Sequence, residues 1–267
     1  MVAGLWQEYI HSKQTLLELA EKHGRSARWI WQQFQRQSRV SPKLRPRPTV
    51  IIADGFFFNR GSGMMLFRSP SLSQNLYWFP ISYETIAHYS QGIWHLEDRG
   101  WTIQAVVCDG RQGVKKALSA RYPVQMCHFH QVKTVTNYLT RHPQLSLAIE
   151  LRALTLTLKN STEKTFSLRL ETWYEKWQTV IKERTTNPDT KRWWYTHRRV
   201  RSAYRSLKQN LSYLFTYLKY PELNIPNTTN SLDGSISHLR DKLRPHRGLH
   251  LTQRLKITEE LLRGKSP

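Results

Sequence analysis

The sequence predicts an α/β fold in which a mixed sheet is flanked by helices. Apolar, β-branched segments alternate with segments whose apolar residues recur at helical spacing, which is typical of strands and helices that follow one another. Two of the apolar segments, TVIIAD and IQAVVCD, end in an aspartate that a glycine follows, as buried strands leading into loops do. With 39% hydrophobic and 12% aromatic residues, the 267-residue chain can bury the core of one large domain, or of a main domain and a small one.

Residues 1–38 are predicted to form three short helices. Ala20 is followed four positions later by Gly24, and such a pair lets two helices cross closely and turn, as in a helix-turn-helix DNA-binding segment. An ordinary helical hairpin with a basic surface is the alternative, because His23 and Arg25 are polar where such motifs usually carry apolar residues. The residues that the last of these helices would present to the major groove are Ser26, Arg28 and Gln32.

Residues 39–48 are predicted to form a basic, proline-rich linker. The slightly longer stretch of residues 36–48, RQSRVSPKLRPRP, contains five basic residues, three prolines and no acid. Its prolines prevent a regular element. Arg45 and Arg47 would follow a phosphate backbone; a tether that is merely solvated is the alternative.

Residues 49–267 are predicted to form the main domain. Three strands are predicted first, in the segments TVIIAD, GMMLFRS and QNLYWFP. A helix follows in YETIAHYSQGIWHLEDRG, a fourth strand in WTIQAVVCD, a short helix in RQGVKKALSARY and a last strand in PVQMCHFH. This order is the layout of a ribonuclease-H-like fold, in which the first and fourth strands are neighbours. Asp54 and Asp109, which end those two strands, would therefore lie together.

A helical insertion is predicted at about residues 131–225. Its stretch KRWWYTHRRVRSAYRSLKQNLSYLFTYLKY contains no acid, and basic residues interleaved with aromatic ones suit a nucleic-acid strand or a flipped base. The alternative is a helical core with basic flanks. The expected DNA contacts in this stretch are Lys191, Arg192, Trp193, Arg198, Arg199 and Arg201.

An amphipathic helix is predicted near the C-terminus, with an apolar stripe formed by Leu232, Ile236, Leu239 and Leu243. Asp233 lies at the edge of that stripe, so its side chain could point along the sheet toward the other two aspartates. Arg240 and Arg244 share roughly that side of the helix and are further expected DNA contacts. A last helix is predicted from about Leu251 to Arg263.

The charge of the chain indicates a nucleic-acid partner. Lys and Arg total 41 against 19 acids, which gives a net charge of +22, and each phosphate that such a surface neutralises releases counterions. An anionic membrane is the alternative partner, but no stretch is apolar over about 20 residues and no basic helix has a clean aliphatic face, so we expect no membrane partner. The N-terminal segment lacks the features of an export signal, and two cysteines make no disulfide framework. We therefore expect a cytoplasmic protein.

The three aspartates suggest a metal site. Carboxylates are hard ligands that suit Mg²⁺ or Mn²⁺, and two such ions can support attack on a phosphodiester. Our hypothesis is that Asp54 bridges two ions while Asp109 and Asp233 each hold one. Two aspartates at strand ends are a weak signal alone, and the third on a downstream helix strengthens it.

Three segments, CDGRQGVKKAL, QMCHFHQVKTV and TTNSLDGSISHLRDKLRPHRGL, resemble the core of bacterial insertion-sequence transposases of the Mutator-like group, with their MULE-type DDE domain. The resemblance covers about residues 49–263. It implies a ribonuclease-H-like fold, a catalytic triad of Asp54, Asp109 and Asp233, and divalent metal. It also implies DNA strand cleavage and transfer by water and then a 3′-hydroxyl, acting on the terminal inverted repeats and a target DNA. A homodimer on paired ends, associated with the nucleoid, is expected on the same basis.

The resemblance further implies that Cys127, His130 and Asn230 support the active site. From the residues alone, a buried thiol and a satisfied histidine are equally good interpretations of the first two, and zinc is disfavoured because a structural zinc site needs four ligands. Asp233 is one methylene shorter than the glutamate usual in the family. The alternatives are a decayed transposase or helix-turn-helix protein that only binds DNA, and a ribonuclease-H-like nuclease.

Overall fold

A mixed five-stranded sheet forms the centre of the protein. The computed structural model describes residues 2–12, 14–36, 44–244 and 250–263. The strands are β1 (Pro48–Asn59), β2 (Ser62–Ser69), β3 (Gln74–Ile81), β4 (Thr102–Cys108) and β5 (Val124–Met126). Their order in the sheet is β3-β2-β1-β4-β5. The pairs β1–β2 and β2–β3 are antiparallel, whereas β1–β4 and β4–β5 are parallel. The predicted α/β class with a mixed sheet is confirmed.

Helices cover both faces of the sheet because its central strands are apolar on both sides. Val50 and Ile52 belong to one buried cluster, and their neighbours Ile51 and Ala53 belong to another on the opposite face. The second face is covered by α4 (Ile86–Asp98), which connects β3 to β4, and by α5 (Gln112–Leu118), which connects β4 to β5. Gly92 allows α4 to lie directly on the ring of Phe67 in β2.

The three predicted N-terminal helices are present as α1 (Val2–His11), α2 (Leu16–Lys22) and α3 (Ala27–Arg36). A capping box between Thr15 and Glu18 begins α2, and Gly24, with a φ of +59°, makes the turn before α3. Their buried side chains form one cluster with those of the C-terminal helices and the first face of the sheet. The N-terminal helices thus share the main core.

The predicted linker lies partly outside the described residues, which exclude 37–43. Residues 44–47 have no regular structure, and β1 begins at Pro48. Arg45 and Arg47 are exposed.

The first five α-helices after β5 enclose a separate buried cluster that includes Leu151, Phe166 and Leu207. They are α6 (His128–Leu139), α7 (Ser146–Leu156), α8 (Glu163–Lys182), α9 (Arg198–Leu214) and α10 (Thr216–Lys219). The region closes the open edge of β5, because Gln125 Nε2 donates to Leu214 O at 2.9 Å and Thr216 Oγ1 donates to Val124 O at 2.6 Å.

The expectation that this whole region is helical is wrong at one place. Between α8 and α9 the chain forms an antiparallel ribbon of β6 (Arg184–Thr186) and β7 (Trp193–Tyr195). Threonines and aromatic residues favour paired strands. The side chain of Asn187 accepts hydrogen bonds of 2.9 Å from the backbone N–H groups of Asp189 and Thr190, which stabilises the turn.

Two C-terminal helices complete the fold, α11 (Asn230–Leu243) and α12 (Leu251–Arg263). The predicted apolar stripe of α11 is buried in the first cluster. Within the described ranges, no helix has the length and apolar character needed to cross a membrane.

Candidate metal centre

Asp54 and Asp109 lie at the same edge of the sheet. Parallel pairing between β1 and β4 ends at Ile52 and Val107, so Asp54 lies two residues beyond the pairing and Asp109 follows β4 directly. The expectation that Asp54 ends a strand is wrong, because β2 pairs with β1 on its other side as far as Asn59. Asp54 and Asp109 nevertheless lie together, as expected, because the parallel pairing of β1 with β4 stops just before both residues.

A third carboxylate, which sequence reasoning missed, completes a cluster with these two. Glu84 lies just after β3, next to Thr85, whose hydroxyl caps α4. Its side chain accepts a hydrogen bond from the Tyr89 hydroxyl, and Arg111 Nη1 lies 3.9 Å from its Oε2. Among the described residues, the group with carboxylate oxygens within 4.8 Å of one another consists of Asp54, Glu84 and Asp109.

Crowding and burial change the acidity of this cluster. Burial, followed by the charges of Asp109 and Glu84, raises the pKa of Asp54 to about 7. Nearby His130 and a 2.8 Å hydrogen bond from Gly55 N oppose that rise. Burial also raises the pKa of Glu84, against the hydrogen bond from Tyr89. Carboxylates held together in this way are hard, anionic ligands whose mutual repulsion a divalent cation would relieve, so the residues fit such an ion.

Asp233 faces the same cavity from α11. This cavity has a volume of about 570 Å³, and its lining includes Asp54, Glu84, Asp109, His130, Lys133, Asn230, Asp233 and Arg240. Asp233 Oδ2 accepts a hydrogen bond of 2.7 Å from Thr229 Oγ1. Asp233 therefore shares the cavity with the three clustered acids but stands outside the group whose oxygens lie within 4.8 Å of one another.

Cys127 and His130 lie between the end of β5 and the first turn of α6, beside this cavity. Cys127 Sγ accepts a hydrogen bond from Thr229 N at 3.3 Å and lies 3.3 Å from Thr229 Oγ1. Burial would raise the pKa of Cys127, but hydrogen bonds with His130 and Thr229 outweigh it, so the pKa is lowered. The hydrogen bond with Cys127 raises the pKa of His130, with burial opposing and the charges of the aspartates assisting.

A buried arginine connects the N-terminal turn of α11 to the sheet. Arg68 in β2 is 7% exposed. It donates from Nε to Ser231 Oγ at 3.0 Å and from Nη1 to Asn75 Oδ1 at 2.9 Å. Ser231 lies two positions before Asp233, so Arg68 helps to place the third predicted acid. The sequence shows Arg68 only as a basic residue in an apolar strand, and no local pattern indicates its contact with Ser231, 163 positions away.

The predicted DNA contacts lie on several separate elements. Arg28 and Gln32 are exposed on α3, and the Ser26 hydroxyl caps that helix by accepting from Trp29 N at 3.2 Å. Arg240 lines the metal-centre cavity, whereas Arg244 is exposed and pairs with Asp241 at 3.1 Å.

The ribbon and the start of α9 carry the remaining expected contacts. Trp193 is 50% exposed, and the guanidinium of Arg184 lies 4.1 Å from its ring centroid. Arg201 lies 3.9 Å from the ring centroid of Tyr195, and Arg199 donates to Asn137 O at 2.7 Å. The expected contacts in this region that are exposed are Lys191, Arg192, Trp193, Arg198 and Arg199.

The fold and this centre define an α/β protein with a carboxylate cluster that can hold a metal ion. No protein-family model matches the chain, and no curated protein matches it. Among solved structures, the chain is similar to one from the cryo-EM structure of the simian T-cell lymphotropic virus intasome in complex with PP2A regulatory subunit B56 gamma. The identity is 11%, 72% of each chain is covered, and the TM-score is 0.24. A likeness of this degree carries no argument about fold or function.

Proposed function

We propose that the protein is a DNA transposase that cleaves and joins DNA strands with the help of two Mg²⁺ or Mn²⁺ ions. The observation that carries the proposal is the convergence of acids on one cavity in a strongly basic protein. Asp54, Glu84 and Asp109 cluster there, and Asp233 reaches the same cavity from a distant helix. A net charge of +22 favours a polyanionic substrate.

Each acid has a proposed role. Asp54 and Asp109 would hold the ions, and Glu84 would be a further ligand that the sequence did not suggest. Asp233 completes the site from α11, in the orientation that Thr229 imposes. Bound divalent ions would supply an activated attacking oxygen and neutralise charge on the phosphate. Three further residues support this arrangement. Cys127 contacts Thr229 and is hydrogen-bonded to His130, and both His130 and Asn230 line the cavity.

The architecture supports a ribonuclease-H-like catalytic domain. The strand order β3-β2-β1-β4-β5, with an antiparallel meander extended by parallel strands, is compatible with that fold. Under this proposal the helices α6 to α10 and the β6–β7 ribbon are an insertion between β5 and α11, the helix that carries the third acid.

DNA binding is proposed for two surfaces. One is the exposed side of α3, as the second helix of a helix-turn-helix with α2. The other is the β6–β7 ribbon with the start of α9, where arginines stack on aromatic rings. Assembly as a homodimer on paired DNA ends, within the nucleoid, is part of the same proposal.

The decisive experiment incubates the protein with Mg²⁺ or Mn²⁺ and a duplex that carries the terminal inverted repeats flanking its gene. The proposal predicts nicked and strand-transfer products, which Asp54→Asn and Asp109→Asn abolish. Asp98→Asn is the matched control, because Asp98 is exposed at the end of α4. Hydrolysis without joining would identify a nuclease instead, and metal-independent binding without nicking would identify a DNA-binding protein.

A further inference from the structure

A second cavity adjoins the metal centre and shares Asp109 with it. We name it the α6–α9 cleft, after the two helices that form its walls. Its volume is about 490 Å³. The residues that line it are Asp109, Gly110, Arg111, Met126, Thr134, Tyr138, Ser202, Arg205, Ser206, Gln209 and Asn210. Among these residues, Asp109 is the single acid, so away from the metal centre the cleft presents neutral and basic groups.

One wall of the cleft is a polar stripe along α9. Ser202, Arg205, Ser206 and Gln209 recur at i, i+3, i+4 and i+7, and residues with this spacing share one face of a helix. All four can donate hydrogen bonds. Hydroxyl, amide and guanidinium groups are the ones that proteins use to contact phosphate and sugar oxygens. The opposite wall contributes Thr134 and Tyr138, one turn apart on α6.

The base of this wall is held rigidly. Lys115 is 2% exposed, and its ammonium group donates to Asn210 Oδ1. Asn210 Nδ2 donates to Gln131 Oε1 at 2.7 Å, and Gln131 Nε2 donates to Ser206 Oγ at 3.2 Å. This chain of hydrogen bonds fixes α9 against α5 and α6, so the polar stripe is positioned before any ligand arrives.

The two cavities adjoin at Asp109, and the residue that follows it must be a glycine. Gly110 has a φ of +95°, and a Cβ atom there would collide with the side chain of Met126. Asp109, which precedes it, lines both cavities. Arg111, which follows it, lines the cleft, and its Nη1 lies 3.9 Å from Glu84 Oε2 in the metal centre. An extended ligand can therefore run from one cavity into the other along residues 109–111.

We infer that the α6–α9 cleft binds a single DNA strand next to the phosphate that reacts at the metal centre. The inference rests on the proposed function. Cavities of about 300–1,000 Å³ hold ligands of the size of a nucleotide rather than a duplex, and donors lining the wall match the acceptors of a strand. Arg205, exposed at the cleft, neutralises a phosphate, and Tyr138, 38% exposed, offers a ring on which a base can stack.

Disulfide crosslinking tests the position of the strand. The native thiols of Cys108 and Cys127 are 0% exposed, so a new surface cysteine reacts without background. Gln209→Cys places a thiol in the cleft, and Thr179→Cys, on the exposed side of α8, is the matched control. The probe is a single-stranded oligothymidine with one base carrying an activated thiol tether, used with a chelator. We expect a higher yield at 209 than at 179. Equal yields, or a preference of the 209 thiol for duplex DNA, would overturn the inference.

A binding measurement gives a second, independent readout. Arg205→Ala should weaken binding of the same oligothymidine and make the slope of log affinity against log salt shallower by roughly 0.7, the value for one phosphate contact on a single strand. Arg169→Ala, exposed on α8 and outside both cavities, should change neither. An unchanged slope for Arg205→Ala contradicts the inference.

The two proposals fail in different ways. The crosslinking and binding experiments are made without metal, so they do not depend on catalysis. A protein that joins DNA strands but does not crosslink at 209 has no strand in the cleft. One that crosslinks there but performs no metal-dependent chemistry retains the cleft and loses the transposase assignment.

Discussion

Thr229 Oγ1 donates a hydrogen bond of 2.7 Å to Asp233 Oδ2. The same threonine is 0% exposed and lies 3.3 Å from the sulfur of Cys127, which directly follows β5. The acid on α11 is thereby connected through one hydroxyl to the end of β5, which belongs to the same sheet as the strands that position Asp54 and Asp109. The Cys-x-x-His segment at residues 127–130 and the Thr-Thr-Asn segment at residues 228–230 are about 100 positions apart in sequence, and they meet at this residue.

We predict that Thr229→Val lowers metal-dependent DNA cleavage by about 10- to 100-fold, the usual effect of losing a group that orients a metal ligand. Valine preserves the volume of threonine but cannot donate to Asp233. The metal concentration that gives half-maximal cleavage should rise as well. Thr229→Ser keeps the hydroxyl and should retain cleavage. Equal loss in the serine and valine variants would show that packing, rather than the hydrogen bond, is what matters.

Glu84→Gln tests whether the carboxylate missed in sequence is a metal ligand. Mn²⁺ affinity, measured by titration calorimetry, should fall by about tenfold or more, because a neutral amide is a weaker ligand for a hard cation. Glu175→Gln, on the exposed side of α8, is the control. Unchanged Mn²⁺ affinity in Glu84→Gln would remove this residue from the centre.

The acidity of Asp54 predicts the pH dependence of stability without metal. Between its usual pKa of 3.8 and its folded value of about 7, the folded protein holds a proton that the unfolded chain has released. The metal-free protein should therefore lose stability as pH rises across this window, and the loss should level off above it. Asp54→Asn should flatten this dependence and raise the melting temperature above that of the wild type at alkaline pH. Thermal unfolding with a chelator present measures both.

Metal binding should show the opposite pH dependence. A divalent ion binds the deprotonated carboxylate and must displace the proton of Asp54, so affinity should increase as pH rises through about 7. Proton release on Mn²⁺ binding, measured by calorimetry in buffers of different ionisation enthalpy, checks this. Binding that is independent of pH through that range would mean that Asp54 is not a ligand.

Gly92→Ala tests how closely α4 packs on the sheet. A methyl group there would collide with the ring of Phe67, and overpacking of this kind costs about 1–3 kcal/mol. At Gly4 in α1, an added Cβ meets nothing within 4 Å, so Gly4→Ala should stabilise the protein by roughly 0.5–1 kcal/mol through helix propensity. Urea unfolding of both variants compares them directly.

The order of elements could be predicted from the sequence because it depends on local patterns. Hydrophobic patterning placed the strands of the main sheet, α4 and α12. The expectation that Asp54 and Asp109 lie together came from the order of these elements, which is the layout of a ribonuclease-H-like fold. The β6–β7 ribbon was not predicted, because three-residue strands such as Trp193–Tyr195 are too short to show a hydrophobic period.

The sequence by itself therefore determined the class of fold, the basic character of the surface and the two aspartates at adjoining strands. Only the tertiary structure decided that Glu84 joins them, that Asp233 is oriented by Thr229, and that a polar cleft opens beside Asp109. The physical reason is distance along the chain. Periodicity and turn chemistry act over a few residues, whereas a carboxylate cluster or a cleft forms where distant elements pack, and their side-chain contacts leave no local signature.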